Sequence, residues 1–229
     1  MYIDSAGNAR TDWSQDGHLA AGVPGTVSGL FTSAKYGKLK FEELIEPAIA
    51  LAEYGFVIME SEANSLNGLQ EEFKKHNSVM PVFVKDQPWK AGDTLIQKDL
   101  AATLRRIRDK GEAGFYEGET AKLIVEEMQR GKGIISYEDL KQYKAAERKP
   151  HVFEYKSYTV VGMPMPSSGG LLLQQMMKMV EKHDIKSKGF HSPEAVQLMI
   201  EAERRAYADR AQYMGDADFF QCAGKTTFK

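Results

Sequence analysis

Apolar residues spaced three and four positions apart run through most of this chain, which is the pattern of an amphipathic helix. The strongest run consists of Phe41, Leu44, Ile45, Ala48, Leu51 and Ala52. Gly55 follows it, and glycine commonly ends a helix because it tolerates a positive φ. The pattern predicts a helix from about Phe41 to Gly55 and favours a fold in which helices predominate.

Several other segments carry helical signals. Weaker helices are predicted over residues 60–75, 98–110 and 119–130. In the segment 98–110, the inward positions are expected to be Leu100, Leu104 and Ile107, and the outward cationic stripe Arg105, Arg106 and Arg108. In the segment 119–130, the apolar side is expected to be Ala121, Ile124, Val125 and Met128. The methionines Met176, Met177 and Met179 are expected to fill a core.

Strand signals are few. Residues 151–155 and 158–162 are rich in β-branched and aromatic side chains, and Lys156-Ser157 between them predicts a hairpin turn. Residues 82–84 form a third, short candidate strand. The fold class is therefore mainly α (α+β), with a helical lobe and a small β-hairpin before Pro164. The charged segment 144–150, which ends in proline, is the candidate internal boundary, and the alternative interpretation of it is a loop.

Composition excludes several classes of function. The 229 residues carry 30 basic and 32 acidic side chains, so the net charge of −2 predicts neither a nucleic-acid groove nor an anionic membrane partner. No apolar run is long enough to cross a bilayer. The five histidines are scattered without metal-ligand spacing, which predicts no metal site and no cofactor. A single cysteine, Cys222, excludes an internal disulfide framework.

Three stretches combine glycine, proline and polar residues in patterns that fix local structure. Residues 18–29 contain Gly22, Pro24 and Gly25 and predict a loop that leads into a helix. Residues 164–170 read Pro-Met-Pro-Ser-Ser-Gly-Gly, and either serine could cap the helix that follows. Free N–H groups at that helix start would attract an anion. The candidate anion-binding residues are Ser167, Ser168, Gly169 and Gly170.

The third stretch, residues 203–219, lies on a long helix that Ser192-Pro193 opens and that ends near Gly215. Its polar face is expected to carry Arg204, Arg205, Asp209 and Arg210. Another capping signal is the pair Ser136 and Asp139, which predicts a short helix through Tyr143.

Other motifs have simpler explanations. Gly224-Lys225-Thr226 ends like a phosphate-binding loop, but Phe219 stands where that loop needs glycine. Ser168 lacks the leading glycine of a nucleophile elbow. Neighbouring acidic residues on one helix diverge, so they predict solvated faces rather than acid/base pairs. These pairs are Glu42-Glu43, Glu71-Glu72 and Glu126-Glu127.

Taken in order, the three stretches resemble the large-subunit region of the gamma-glutamyltranspeptidases. Segments 39–48 and 141–148 also look like that family, and the resemblance runs from about Asp4 to Phe219. Residues 1–219 are thus interpreted as a mainly helical large-subunit fragment, and 220–229 as a divergent tail. The resemblance implies an N-terminal-nucleophile hydrolase whose complete fold is a four-layer αββα sandwich.

The resemblance also implies a mechanism. In the family a precursor cleaves itself, and the new terminal threonine of the small subunit attacks the gamma-glutamyl amide of glutathione. That threonine heads a Thr-Thr-His-Tyr-Ser segment, and an arginine in an Asp-Phe-Arg-Glu-Met-Ala-Pro segment grips the substrate carboxylate. Neither segment occurs here, and Thr226-Thr227 is followed by Phe228-Lys229. We therefore expect no catalytic residue in this chain and no turnover by it alone.

The implied partners are the small subunit or the rest of the precursor, with glutathione or another gamma-glutamyl compound as substrate. A surface that those parts normally cover would be apolar, so self-association is expected. Family members are periplasmic or secreted, and residues 1–8 lack the features of a signal peptide, which is expected upstream. The alternative interpretation is a helical module without catalysis that binds a partner or an anionic peptide at the helix start near Ser168.

Overall fold

The computed structural model describes residues 2–77 and 79–219, and the chain divides between Ala145 and Ala146 into two compact units. The first unit contains α1 (Thr11–Gln15), a 3-10 turn (His18–Ala20), α2 (Thr26–Ala34), α3 (Phe41–Tyr54), β1 (Phe56–Val57), α4 (Glu60–Gly68), α5 (Gln70–His76), β2 (Thr94–Leu95), α6 (Lys98–Lys110), α7 (Ala113–Tyr116), α8 (Gly118–Arg130) and α9 (Tyr137–Gln142). The second contains β3 (His151–Tyr155), β4 (Tyr158–Gly162), α10 (Gly169–Glu181) and α11 (Pro193–Tyr213). Within the described part, no helix is both long and apolar enough to cross a membrane.

The mainly helical fold with a small hairpin is confirmed. Strands β3 and β4 pair antiparallel with Tyr155 opposite Tyr158, and Lys156 in the turn has a φ of 52°. The helix predicted from Phe41 ends at Tyr54, where the Gly55 N–H donates to the Leu51 carbonyl at 2.9 Å. Gly55 has a φ of 84°, the positive value for which glycine is suited.

Helix α6 has the predicted bounds, but its exposed and paired side chains differ from the expectation. Leu100 is exposed rather than inward. Arg105 and Arg108 do not form an outward stripe, since each donates to a glutamate of α3 at 2.9 Å, Glu53 and Glu46 respectively. The sequence pattern of α6 alone could not reveal this, because the partners lie on another helix.

The prediction of a strand at residues 82–84 is wrong. Val82 and Phe83 form a turn, closed by a hydrogen bond from the Val84 N–H to the Pro81 carbonyl at 3.0 Å. The Phe83 carbonyl instead accepts from the Trp89 indole at 2.8 Å. The strands actually present in this unit, β1 and β2, have two residues each and are too short to show an alternating pattern.

Two buried clusters hold the first unit together. One consists of Tyr116, Ala121, Val125, Ile135 and Leu140. The other consists of Ile58, Ala63, Trp89 and Leu95. In the second unit, Met176, Met177 and Met179 are half-buried rather than core residues, because α10 packs with one side against β3 and β4 and with another against α11.

The capping pair at Ser136 gives a prediction of moderate size. The Ser136 hydroxyl accepts from the Asp139 N–H at 3.2 Å, and the Asp139 carboxylate accepts from the Ser136 N–H at 2.8 Å. We expect Ser136→Ala to lower the free energy of unfolding by about 1 kcal/mol in urea titrations, since it leaves a helix-terminal N–H without its partner. Ser65→Ala, on the exposed side of α4, is the control. Equal unfolding midpoints for the two variants would contradict the capping role.

Candidate functional site

The start of α10 carries the residues that the sequence marked as an anion site. Ser168, which precedes the helix, has helical backbone angles, and its side chain makes no capping hydrogen bond. Its hydroxyl instead accepts from Nε of Arg210 on α11 at 3.0 Å. The Ser167 hydroxyl accepts from the Gly169 N–H at 3.3 Å. The prediction that Ser168 caps this helix is therefore wrong. The serine whose hydroxyl accepts from an N–H of the first helical turn is Ser167.

The two glycines at this helix start differ in how closely neighbouring atoms pack against them. A Cβ on Gly170 would lie 3.1 Å from Cβ of His151 on β3 and far inside contact distance of the Met163 carbonyl oxygen. A Cβ on Gly169 would meet only the Ser167 hydroxyl, at 3.4 Å. Gly170 thus lets the helix backbone approach the hairpin closely, a packing requirement that the motif alone did not distinguish from anion binding.

Helix α11 begins with the predicted cap, since the Ser192 hydroxyl accepts from the Ala195 N–H at 3.1 Å. Its polar residues do not share one solvated face. Asp209 is half-buried and accepts from Nε2 of Gln175 on α10 at 2.8 Å, while Arg210 contacts Ser168. Contacts with α10 therefore hold these two side chains in place.

Arg204 and Arg205 remain exposed on α11. Both donate to the Glu201 carboxylate, and the hydrogen bond from Arg205 is the main cause that lowers the pKa of Glu201. Next to them, Met179, Lys182, His183, Leu198 and Ala202 line a groove of about 310 Å³ together with Glu201 and Arg205. These ion pairs stay within α11. Arg210 is the arginine of residues 203–219 that contacts the start of α10.

In the first unit, the glycine and proline loop is anchored by tyrosines. The Tyr116 hydroxyl donates to the Pro24 carbonyl at 2.7 Å and accepts from the Ser28 N–H at 3.2 Å. Burial raises the pKa of Tyr116. A Cβ on Gly25 would lie 2.9 Å from Cζ of Tyr143, so a larger residue there would displace the Tyr143 ring. Packing thus accounts for Gly25 within the first motif.

His18, at the start of the same motif, is fixed by an acidic residue of α8. Its Nε2 lies 2.5 Å from Oε1 of Glu127, and Arg130 also contacts that carboxylate. The interpretation of Glu126-Glu127 as a solvated pair is therefore wrong for Glu127, because the loop containing His18 folds back over α8. This contact spans 109 positions and leaves no trace in the local sequence.

The described residues contain no cluster of three or more histidine, cysteine, aspartate or glutamate side chains that could hold a metal ion. Cys222, the Gly224-Lys225-Thr226 segment and the pair Thr226-Thr227 lie outside the described residues. The site that the structure does assemble consists of serine hydroxyls, helix N–H groups and one arginine. Groups of this kind are suited to binding an anion, and the anion site at the start of α10 stays a prediction.

Comparison with known proteins identifies the class. The family model for gamma-glutamyltranspeptidase matches residues 1–227, so the chain belongs to the gamma-glutamyltranspeptidase family. It is 45% identical over 222 residues to the glutathione hydrolase proenzyme of Pseudomonas sp. (strain A14), and 42% identical to that of Escherichia coli (strain K12). The resemblance that the sequence motifs indicated is confirmed.

A solved structure matches closely as well. The Helicobacter pylori gamma-glutamyltranspeptidase superposes with a TM-score of 0.92 at 42% sequence identity, over 97% of this chain and 64% of that chain. The two proenzyme matches include 96% of this chain. The chain spans only 39% and 38% of the length of those relatives. The matched region is thus well under half of a complete relative.

Proposed function

We propose that this chain is the large-subunit part of an enzyme that transfers or hydrolyses the gamma-glutamyl group of glutathione and related amides. The single observation that supports this most strongly is the family match over residues 1–227. Both curated relatives described above are named glutathione hydrolase proenzymes. In this proposal the chain serves as a scaffold that positions the rest of the enzyme around its substrate.

The reacting groups lie elsewhere in the proposed enzyme. The terminal threonine of the small subunit supplies the nucleophile, and an arginine that is not part of this chain binds the substrate carboxylate. The complete enzyme has the αββα sandwich of an N-terminal-nucleophile hydrolase, and this chain contributes mostly peripheral helices. The 229 residues alone therefore lack turnover, because neither the nucleophile nor the substrate clamp is among them.

The anion-binding role of Ser167, Ser168, Gly169 and Gly170 stays a prediction. Arg210 supports it, since its guanidinium lies on the Ser168 hydroxyl and adds positive charge where the helix dipole is also positive. The same feature favours the second candidate function, a helical module that binds an anionic peptide without catalysis. The two functions differ in whether joining this chain to the rest of a relative restores turnover.

A chimera tests the proposal. In the Escherichia coli proenzyme, the matched segment is replaced by residues 1–219 of this chain, and release of chromophore from a gamma-glutamyl anilide is measured. We expect turnover within about tenfold of the parent, because 42% identity preserves the matched scaffold. The control replaces the terminal threonine of the small subunit by alanine and should be inactive.

A folded chimera without turnover would contradict the proposed function. In that case, binding of an anionic peptide to the isolated chain, abolished by Arg210→Ala, would favour the helical module instead.

A further inference from the structure

The segment that follows α11 is held by an arginine from the start of the second unit. After Tyr213, residues 214–219 form neither helix nor strand. Asp218 in this segment accepts from a guanidinium nitrogen of Arg148 at 2.5 Å. Arg148 lies 70 positions earlier, in the irregular segment that precedes β3. This contact therefore fixes the path that the chain takes after α11.

Asp216 holds Asp218 in place for that contact. The Asp216 carboxylate accepts from the Asp218 N–H at 3.0 Å, and the Asp216 carbonyl accepts from the Phe219 N–H at 3.0 Å. The hydrogen bond and the charge of Asp218 are the main causes that raise the pKa of Arg148, and the charge of Asp216 adds to them. We call Arg148, Asp216 and Asp218 the Arg148 clasp.

The clasp orders a path rather than a core. The Arg148 side chain is 31% exposed and that of Asp218 is 55% exposed. An ion pair that solvent reaches so easily contributes little to folding stability. Arg204 on α11 is a useful contrast, because it also forms an exposed ion pair, but with Glu201 of the same helix. Its pair ties no second segment to α11.

We propose that the Arg148 clasp positions the polypeptide that follows α11 for the maturation cleavage of the precursor. This rests on the proposed function, in which the small subunit follows this chain in one precursor. The two curated relatives are named proenzymes, and this chain spans 39% and 38% of their length. In the cleavage, one water adds across the peptide bond before the terminal threonine. The products are a carboxyl group upstream and a free amino group on that threonine.

Arg148 is thus a positioning residue, since it acts through the segment that leads to the cleaved bond. A small displacement of reacting groups slows a reaction strongly. In the chimera with the Escherichia coli proenzyme, we expect Arg148→Ala to slow conversion of the precursor into two subunits about tenfold or more. Gel electrophoresis of the purified chimera over time measures that rate. Arg148→Lys, which keeps the charge, should restore part of it.

Arg204→Ala is the matched control and should convert at the rate of the unmutated chimera. Reversing the pair, with Arg148→Asp and Asp218→Arg together, should convert faster than Arg148→Asp alone. Once converted, each molecule of the Arg148→Ala chimera should turn over a gamma-glutamyl anilide at the normal rate. Equal conversion of Arg148→Ala and Arg204→Ala would overturn the proposal. So would an equal loss of turnover per converted molecule, since the defect would then be one of general structure.

The isolated chain gives a second measurement that needs no cleavage. Arg148→Ala should speed amide hydrogen exchange over residues 214–219 by about tenfold, and Arg204→Ala should not. Unchanged exchange in Arg148→Ala would overturn the clasp even if the chimera is active. A folded, unmutated chimera that neither converts nor turns over contradicts the proposed function, whereas normal conversion with Arg148→Ala contradicts the clasp alone.

Discussion

Replacing Gly114 by alanine is expected to destabilise the first unit more than any other single methyl addition that we consider there. A Cβ at this position would lie 2.8 Å from the Ile107 backbone nitrogen and far inside contact distance of the Arg106 carbonyl. Neither backbone can move away as a flexible side chain could, because Arg106 and Ile107 lie inside α6 and the Gly114 carbonyl accepts from the Thr120 hydroxyl at 2.8 Å. We expect a loss of about 3 kcal/mol or more in the free energy of unfolding.

The measurement is urea denaturation followed by circular dichroism. Gly29→Ala is the control, because a Cβ there meets nothing within 4 Å and the residue lies within α2. Alanine favours a helix over glycine, so this variant should be neutral or gain up to about 1 kcal/mol. If Gly114→Ala and Gly29→Ala unfold at the same urea concentration, the close contact between α6 and α7 is not as described.

The second large effect is expected at Gly170. Alanine there would collide with the Met163 carbonyl and with His151, so α10 would have to move away from the hairpin. We expect a loss of about 2–3 kcal/mol in the stability of the second unit. Because the two units could unfold separately, amide hydrogen exchange over residues 146–219 is the appropriate measurement.

Gly169→Ala is the matched control for Gly170→Ala, since its Cβ would make only one ordinary contact. The pair also separates the two interpretations of the motif. Packing predicts that Gly170→Ala accelerates exchange in β3, β4 and α10 while Gly169→Ala does not. Unchanged exchange in both variants would mean that Gly170 is not needed for packing and would leave anion binding as its explanation.

Much of the fold could be predicted because helix boundaries are encoded locally. Gly55, Ser136 and Ser192 each act within four residues of themselves, so the ends of α3, α9 and α11 could be read from neighbouring residues. The hairpin was equally local, with strands separated by two residues. What sequence periodicity could not supply was the side of each helix that a partner covers.

Arg105 and Arg108 show this limit. Their spacing on α6 is that of a solvated stripe, and only the position of α3 converts them into interhelical ion pairs. The candidate site is similar, because the contact between Ser168 and Arg210 joins residues 42 positions apart. The family itself was predictable, since several separated motifs in one order carry far more information than any one of them.

The central claim is that this chain is a scaffold that positions the rest of the enzyme around its substrate and supplies no group that reacts. Its most direct test is to quench the active chimera in acid during turnover of a gamma-glutamyl anilide and to locate the covalent gamma-glutamyl adduct by peptide mass spectrometry. The adduct is predicted on the terminal threonine of the small subunit, outside the residues that this chain contributes. An adduct on any residue from this chain would contradict the claim.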